Sequence, residues 1–119
     1  MRNDKNNLIV NLTLDFSLAI IEYCEILEEK RKFVISRQLL KSGTSIGANV
    51  REAQNAESDA DFIHKLKISA KEADETEYWL ILCKRSRNYP DIGNLSVQLE
   101  SIIKVLSKII STSKKNMRN

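Results

Sequence analysis

The sequence predicts an all-α protein, an antiparallel up-down-up-down four-helix bundle, and three observations carry that reading. The 119 residues contain three Gly and one Pro, too little punctuation for a sheet with many turns. Four segments carry apolar residues at helical spacing. The connections between them are short, which favours antiparallel neighbours. The length suits a single domain over residues 1–119, and no repeat, linker or low-complexity segment divides it.

The first helix is expected over about 8–29. One arc of its wheel holds Leu8, Ile9, Leu12, Phe16, Ala19, Ile20, Tyr23, Ile26 and Leu27, the core face. A second apolar group, Val10, Leu14, Leu18 and Ile21, lies on the far side. A helix of a lone small bundle should not be apolar on opposite faces. After the connection "KRKF" a second helix is expected over about 34–56. The third spans about 59–87, opened by a Ser58 or Asp59 N-cap with acids in its first turn. Its core arc is Phe62, Ile63, Leu66, Ser69, Ala70, Ala73, Thr76, Leu80 and Ile81, and Ile68, Trp79 and Leu82 form another far-side group. "RNYPDIGN" is the one clear turn. The fourth helix, about 94–113, has a single stripe: Ile92, Leu95, Leu99, Ile102, Ile103, Leu106, Ile109 and Ile110. The tail "KKNMRN" is expected to fray.

The second helix poses the main question. "SGTSIGANV" is rich in residues that favour turns and phosphate loops. The helical period nevertheless survives: Ile35, Leu39, Ser42, Ile46, Asn49 and Ala53 share one arc, with Leu40, Gly43, Gly47, Val50 and Gln54 beside it. Each interior glycine costs about 1 kcal/mol relative to Ala. Close approach of another backbone would offset that, and the small residues of the third helix, Ala70 and Ala73, make it the expected partner of Ser42, Gly43 and Gly47. Glu77 falls near the same arc. It either finds donors in Ser42, Ser45 and Asn49 or reaches water at the arc's edge.

Enzymatic chemistry has little to stand on. A Walker loop needs Gly-Lys-Ser/Thr five residues after its first Gly, and Ala48 stands there. His64 is the one histidine, and no nucleophile at suitable spacing points at it. Cys24 and Cys83 form no CxxC and read as two reduced thiols, so no metal site and no cofactor are expected. No apolar run approaches the ~20 residues of a membrane span. The N-terminal "MRNDKNNLIV" lacks a signal-peptide pattern, so the expected location is cytoplasmic.

Three segments occur in order within residues 38–83: SGTSIGANV-x-EA, DFI-x-KL and KEA-x-ETEYWL. In these the chain resembles the bacterial four-helix-bundle family named for proteins encoded in intervening sequences of 23S ribosomal RNA genes. That family is in turn similar to the accessory protein of diversity-generating retroelements. The resemblance implies a protomer that assembles into a ring-shaped homopentamer, with no catalytic residues to carry over. It also implies RNA or DNA as a partner, although this chain is only mildly basic, with a net charge of +3.

The residues offered for such contact are Arg37, Lys41 and Arg51 on the second helix, and Lys67, Lys71, Tyr78 and Arg85 on the third. The far-side apolar residues Leu14, Leu18, Ile21, Ile68, Trp79 and Leu82 are the expected subunit interface. The charge is also uneven along the chain. From Leu8 to Glu29 there are acids and no Lys or Arg, whereas Lys104, Lys108, Lys114, Lys115 and Arg118 close the chain without an acid. The expected function is a non-enzymatic homo-oligomeric bundle that binds nucleic acid; the alternative is a structural or adaptor ring that contacts only another protein.

Overall fold

Four helices follow one another: α1 (Asp4–Glu29), α2 (Phe33–Gln54), α3 (Asp59–Arg85) and α4 (Leu95–Arg118). The structure is a computed structural model that describes residues 4–118, and side-chain surroundings for residues 8–117. No strand occurs among the described residues. The bundle measures 52 × 21 × 21 Å. α1 packs on α2 and α4, and so does α3, whereas no Cα of α1 lies within 8 Å of one in α3. α1 and α3 are therefore diagonal corners. Partner residues run in opposite senses: Cys24 meets Ser36 while Thr13 meets Gly47, so α1 and α2 are antiparallel.

The helix ends follow local chemistry. Ser58 caps α3, its Oγ accepting from the Asp61 amide at 3.0 Å, with Asp59 and Asp61 in the first turn. α1 ends in a Schellman motif: Lys32 N–H donates to Leu27 O at 2.8 Å and Arg31 N–H to Glu28 O at 2.9 Å. Arg31 takes the left-handed position of that motif, φ 64°, where Gly is usual. α4 differs from expectation. The tail expected to fray continues the helix to Arg118, while Asn119 lies outside the described residues.

Ile9, Phe16, Ile20, Leu27, Leu39, Ile46, Leu66, Leu80, Leu99 and Leu106 fill the centre. Three expected core residues are not in it: Leu8, Ile26 and Ile81 are 51%, 42% and 41% exposed. The reason lies in how α1 and α3 lean on α2. α1 buries Thr13 and Cys24 on its α2 side instead, and α3 buries Cys83 along with the expected Thr76. Each helix is rotated from the centre of its apolar arc toward the small-residue helix, and the far edge of the arc swings out.

α2 is one continuous helix through both glycines. The two glycines, however, face α1 and not Ala70 and Ala73 of α3, while Ser42 lies against α3 as expected. A Cβ on Gly43 would stand 3.0 Å from Ile20 Cγ1 and Cγ2, and one on Gly47 would stand 3.3 Å from Ser17 Oγ and the Thr13 carbonyl. The α3-facing edge of α2 is joined by hydroxyls. Ser69 Oγ donates to Ile46 O at 2.9 Å, and Ser42 and Thr76 share a hydrogen bond of 2.9 Å. Ala73 is buried and Ala70 only half-buried. Small residues on the wheel were legible; which neighbour each edge of α2 would face was not.

Candidate functional site

The cations singled out in the sequence all reach the surface. Arg37, Lys41 and Arg51 are exposed on the side of α2 turned away from the core. Lys67, Lys71, Tyr78 and Arg85 are exposed on α3. The two stripes lie on the adjacent helices α2 and α3. Acids interleave the α3 stripe, since Asp74, Glu75 and Glu77 are exposed among the cations. The Tyr78 and Trp79 rings pack edge-on at 5.3 Å, and Trp79 Nε1 donates to Glu75 Oε2 at 3.1 Å. Lys65 bridges to Glu52 of α2 at 3.1 Å, and that carboxylate raises its pKa.

The far-side apolar residues lie where the wheel put them. Leu14, Leu18 and Ile21 are exposed on α1, Leu14 by 57% and Leu18 by 54%. Ile68, Trp79 and Leu82 are half-buried on α3. Because α1 and α3 are diagonal, these are two patches on opposite corners of one protomer.

Glu77 is exposed, so it needs no buried donors; Asn49 instead donates to its own helix, to Ser45 O at 2.9 Å. His64 is exposed as well. Among the described residues no group of three His, Cys, Asp or Glu could hold a metal ion. An open cleft of about 210 Å³ between α1 and the 91–94 turn is floored by Ala19, Ile26, Ile92 and Leu95 and carries Glu22 and Asp91 at its sides.

The titratable groups that are buried gather at one end of the bundle. Tyr23 O–H donates to the Pro90 carbonyl at 2.8 Å, and burial pushes its pKa well above the ordinary 10.0. Cys24 Sγ contacts Ser36 O at 3.5 Å, and burial pushes its thiol up to about 11. Burial also raises Cys83. Both cysteines are free, neutral thiols. They cannot be bridged as they stand, because no Cα of α1 approaches α3 within 8 Å and a disulfide needs under about 7 Å.

The profile of the 23S rRNA-intervening sequence protein family matches residues 5–111, nearly the whole chain. The chain belongs to this family. A crystal structure of a protein of unknown function from the S23 ribosomal protein family of Bacteroides thetaiotaomicron is similar throughout: 44% identity, 90% of this chain and 98% of that chain covered, TM-score 0.84. No curated protein matches the chain. Family membership and the similar crystal structure thus agree with the all-helical fold. Among the described residues, no helix is long and apolar enough to cross a membrane.

One group of cations went unmarked in the sequence. "KRK" reads there only as a connection, and Lys84 and Arg87 as the end of a helix. The fold brings them to the same end of the bundle. The available signal was that, in an up-down-up-down bundle, the first and third connections share an end.

Proposed function

We propose that this chain is a non-enzymatic, cytoplasmic subunit of a homo-oligomeric ring that holds RNA or DNA through its basic faces. The observation that carries the assembly is the pair of outward apolar patches on diagonal helices, Leu14, Leu18 and Ile21 on α1 and Ile68, Trp79 and Leu82 on α3. A two-fold dimer would use one patch twice and leave the other uncovered. A head-to-tail contact joins the α1 patch of one copy to the α3 patch of the next, and it closes into a ring when the rotation allows. Charge favours that pairing. Asp15, Glu22 and Glu25 flank the α1 patch, and Lys67, Lys71 and Arg85 run beside the α3 patch. Five subunits is the number the family resemblance implies.

The test is light scattering. Wild-type protein is expected as one assembly larger than a dimer, and Leu18→Glu with Trp79→Glu as a smaller species that keeps its helical CD signal. A wild-type monomer at tens of micromolar overturns the assembly.

A second reading, an adaptor ring that binds only protein, draws on the acids Asp74, Glu75 and Glu77 among the α3 cations, which dilute that stripe as a phosphate contact. Titrating RNA and DNA binding against salt separates the two readings, since phosphate contacts weaken steeply with salt.

A further inference from the structure

We propose that the end of the bundle built from the 30–32 and 86–94 connections is the nucleic-acid contact, and that it grips the phosphate backbone. The proposal rests on the nucleic-acid reading above and moves the contact from the helix sides to one end. Lys30, Arg31 and Lys32 come to this end from the first connection, Lys84 and Arg85 from the last turn of α3, where Arg85 also ends the side stripe, and Arg87 from the third connection. All are exposed except Lys32, which is half-buried with its Nζ 5.1 Å over the Tyr89 ring, so that the two connections touch. Glu28, Glu29 and Asp91, with Glu22 beside Asp91 in the cleft, are carboxylates nearby, and they leave the end net positive.

The first connection is built against conformational preference. Arg31 holds a left-handed backbone at φ 64°, where Gly or Asn would be relaxed. Lys32 is the N-cap of α2 and makes no side-chain cap. No acid follows in the first turn of α2, although the amide end of a helix favours one. The carbonyl end of α1 accounts for a cation at 30 or 31, but not for one at 32. Local choices that break folding rules cluster at functional sites. Phe33, 42% exposed beside these cations, adds a face on which a base can stack.

Assembly leaves this end free. If copies join side by side through α1 and α3, the helix sides are partly covered, including the neighbourhood of Lys67 and Lys71. The ends are not. Rotation about one axis also puts the same end of every copy on the same face of a ring. Each basic end is then repeated around one rim, and linked weak contacts gain avidity without new chemistry.

The experiment measures binding of a labelled poly(U) RNA by anisotropy from about 50 mM salt upward. Arg31→Gly removes the charge and relaxes the backbone, and an unchanged helical CD signal separates loss of binding from unfolding. It is expected to weaken binding several-fold at low salt and to lower the slope of log K against log salt by about 0.7. Lys30→Ser/Arg31→Gly/Lys32→Ser should lower the slope by about 2, with the light-scattering mass unchanged. If Lys67→Glu/Lys71→Glu abolishes binding while the end variants bind as wild type, the nucleic-acid reading stands and this site is overturned. A wild type that binds no RNA overturns both, and one that binds phosphatidylserine vesicles instead assigns the end to a membrane surface. A change of assembly mass in the end variants also overturns the proposal, because the end is then a contact between copies.

Discussion

The two ends of the bundle are made by different rules. At one end, the 55–58 connection delivers the chain into α3 with a Ser58 cap, Asp59 and Asp61 in the first turn, and a Glu57 N–H that donates to Asp61 Oδ2 at 3.3 Å. Every charge there suits the helix it starts. At the other end, α2 starts on an uncapped lysine, and a left-handed arginine precedes it. The buried ionisable groups Tyr23, Cys24 and Cys83 also sit at this second end. The cations at the ends of α1 and α3 suit the carbonyl ends of those helices. The uncapped start of α2 and the left-handed Arg31 do not serve folding, and they make this end the place to look for function.

The largest effect expected from this difference is with pH. Cys24 titrates near 11 in the fold, against an ordinary 9.0, because burial penalises the thiolate. Cys83 and Tyr23 are raised by burial in the same way. Above about pH 9 the unfolded chain therefore releases protons that the folded chain keeps. The contribution of these groups is complete below that pH and is lost as pH climbs toward 11. Thermal unfolding should show Tm level up to about pH 8 and falling beyond 9, with a shallower fall in Cys24→Ser. A flat profile to about pH 10.5, or an equal fall in the variant, would show that these groups do not couple the basic end to pH.

Next in size is the cap at the well-made end. Ser58→Ala leaves the Asp61 amide without its acceptor and should destabilise the fold by about 1 kcal/mol in urea or heat. A loss under about 0.3 kcal/mol would mean that Asp61 or water replaces the serine, and the contrast between the ends would narrow.

Most of the fold could be read from the chain because it depends on period and punctuation. Four apolar stripes and few breakers fix four helices, and Ser58 announces its cap. What the sequence left open depends on distances between elements. Gly43 and Gly47 were visible as small, but α1 and α3 both offered small or yielding neighbours, and only the tertiary arrangement decides that Ile20 and Thr13 fill the space. Leu8, Ile26 and Ile81 were misplaced for the same reason, since a wheel gives the arc's centre and not the rotation imposed by a close neighbour. On the surface, side stripes such as Lys67, Lys71 and Arg85 were legible by spacing. The basic end was not, because its cations are more than 50 residues apart in sequence and meet only through topology.

The smallest effect separates folding from function at a single residue. Arg31 sits in the left-handed region, which costs an L-residue roughly 1 kcal/mol and a glycine almost nothing. Glycine gives part of this back through the greater freedom of the unfolded chain, so Arg31→Gly should stabilise the protein by about 0.5 kcal/mol. If Arg31 were there only to close the α1–α2 turn, the substitution would be favourable in every respect. On the reading developed above it is favourable for stability and unfavourable for RNA binding. Chemical denaturation and anisotropy on the same preparation measure both signs. A stabilised variant with undiminished binding would leave the arginine unexplained, and a destabilised one would mean that its side chain contributes packing or pairing that outweighs the backbone strain.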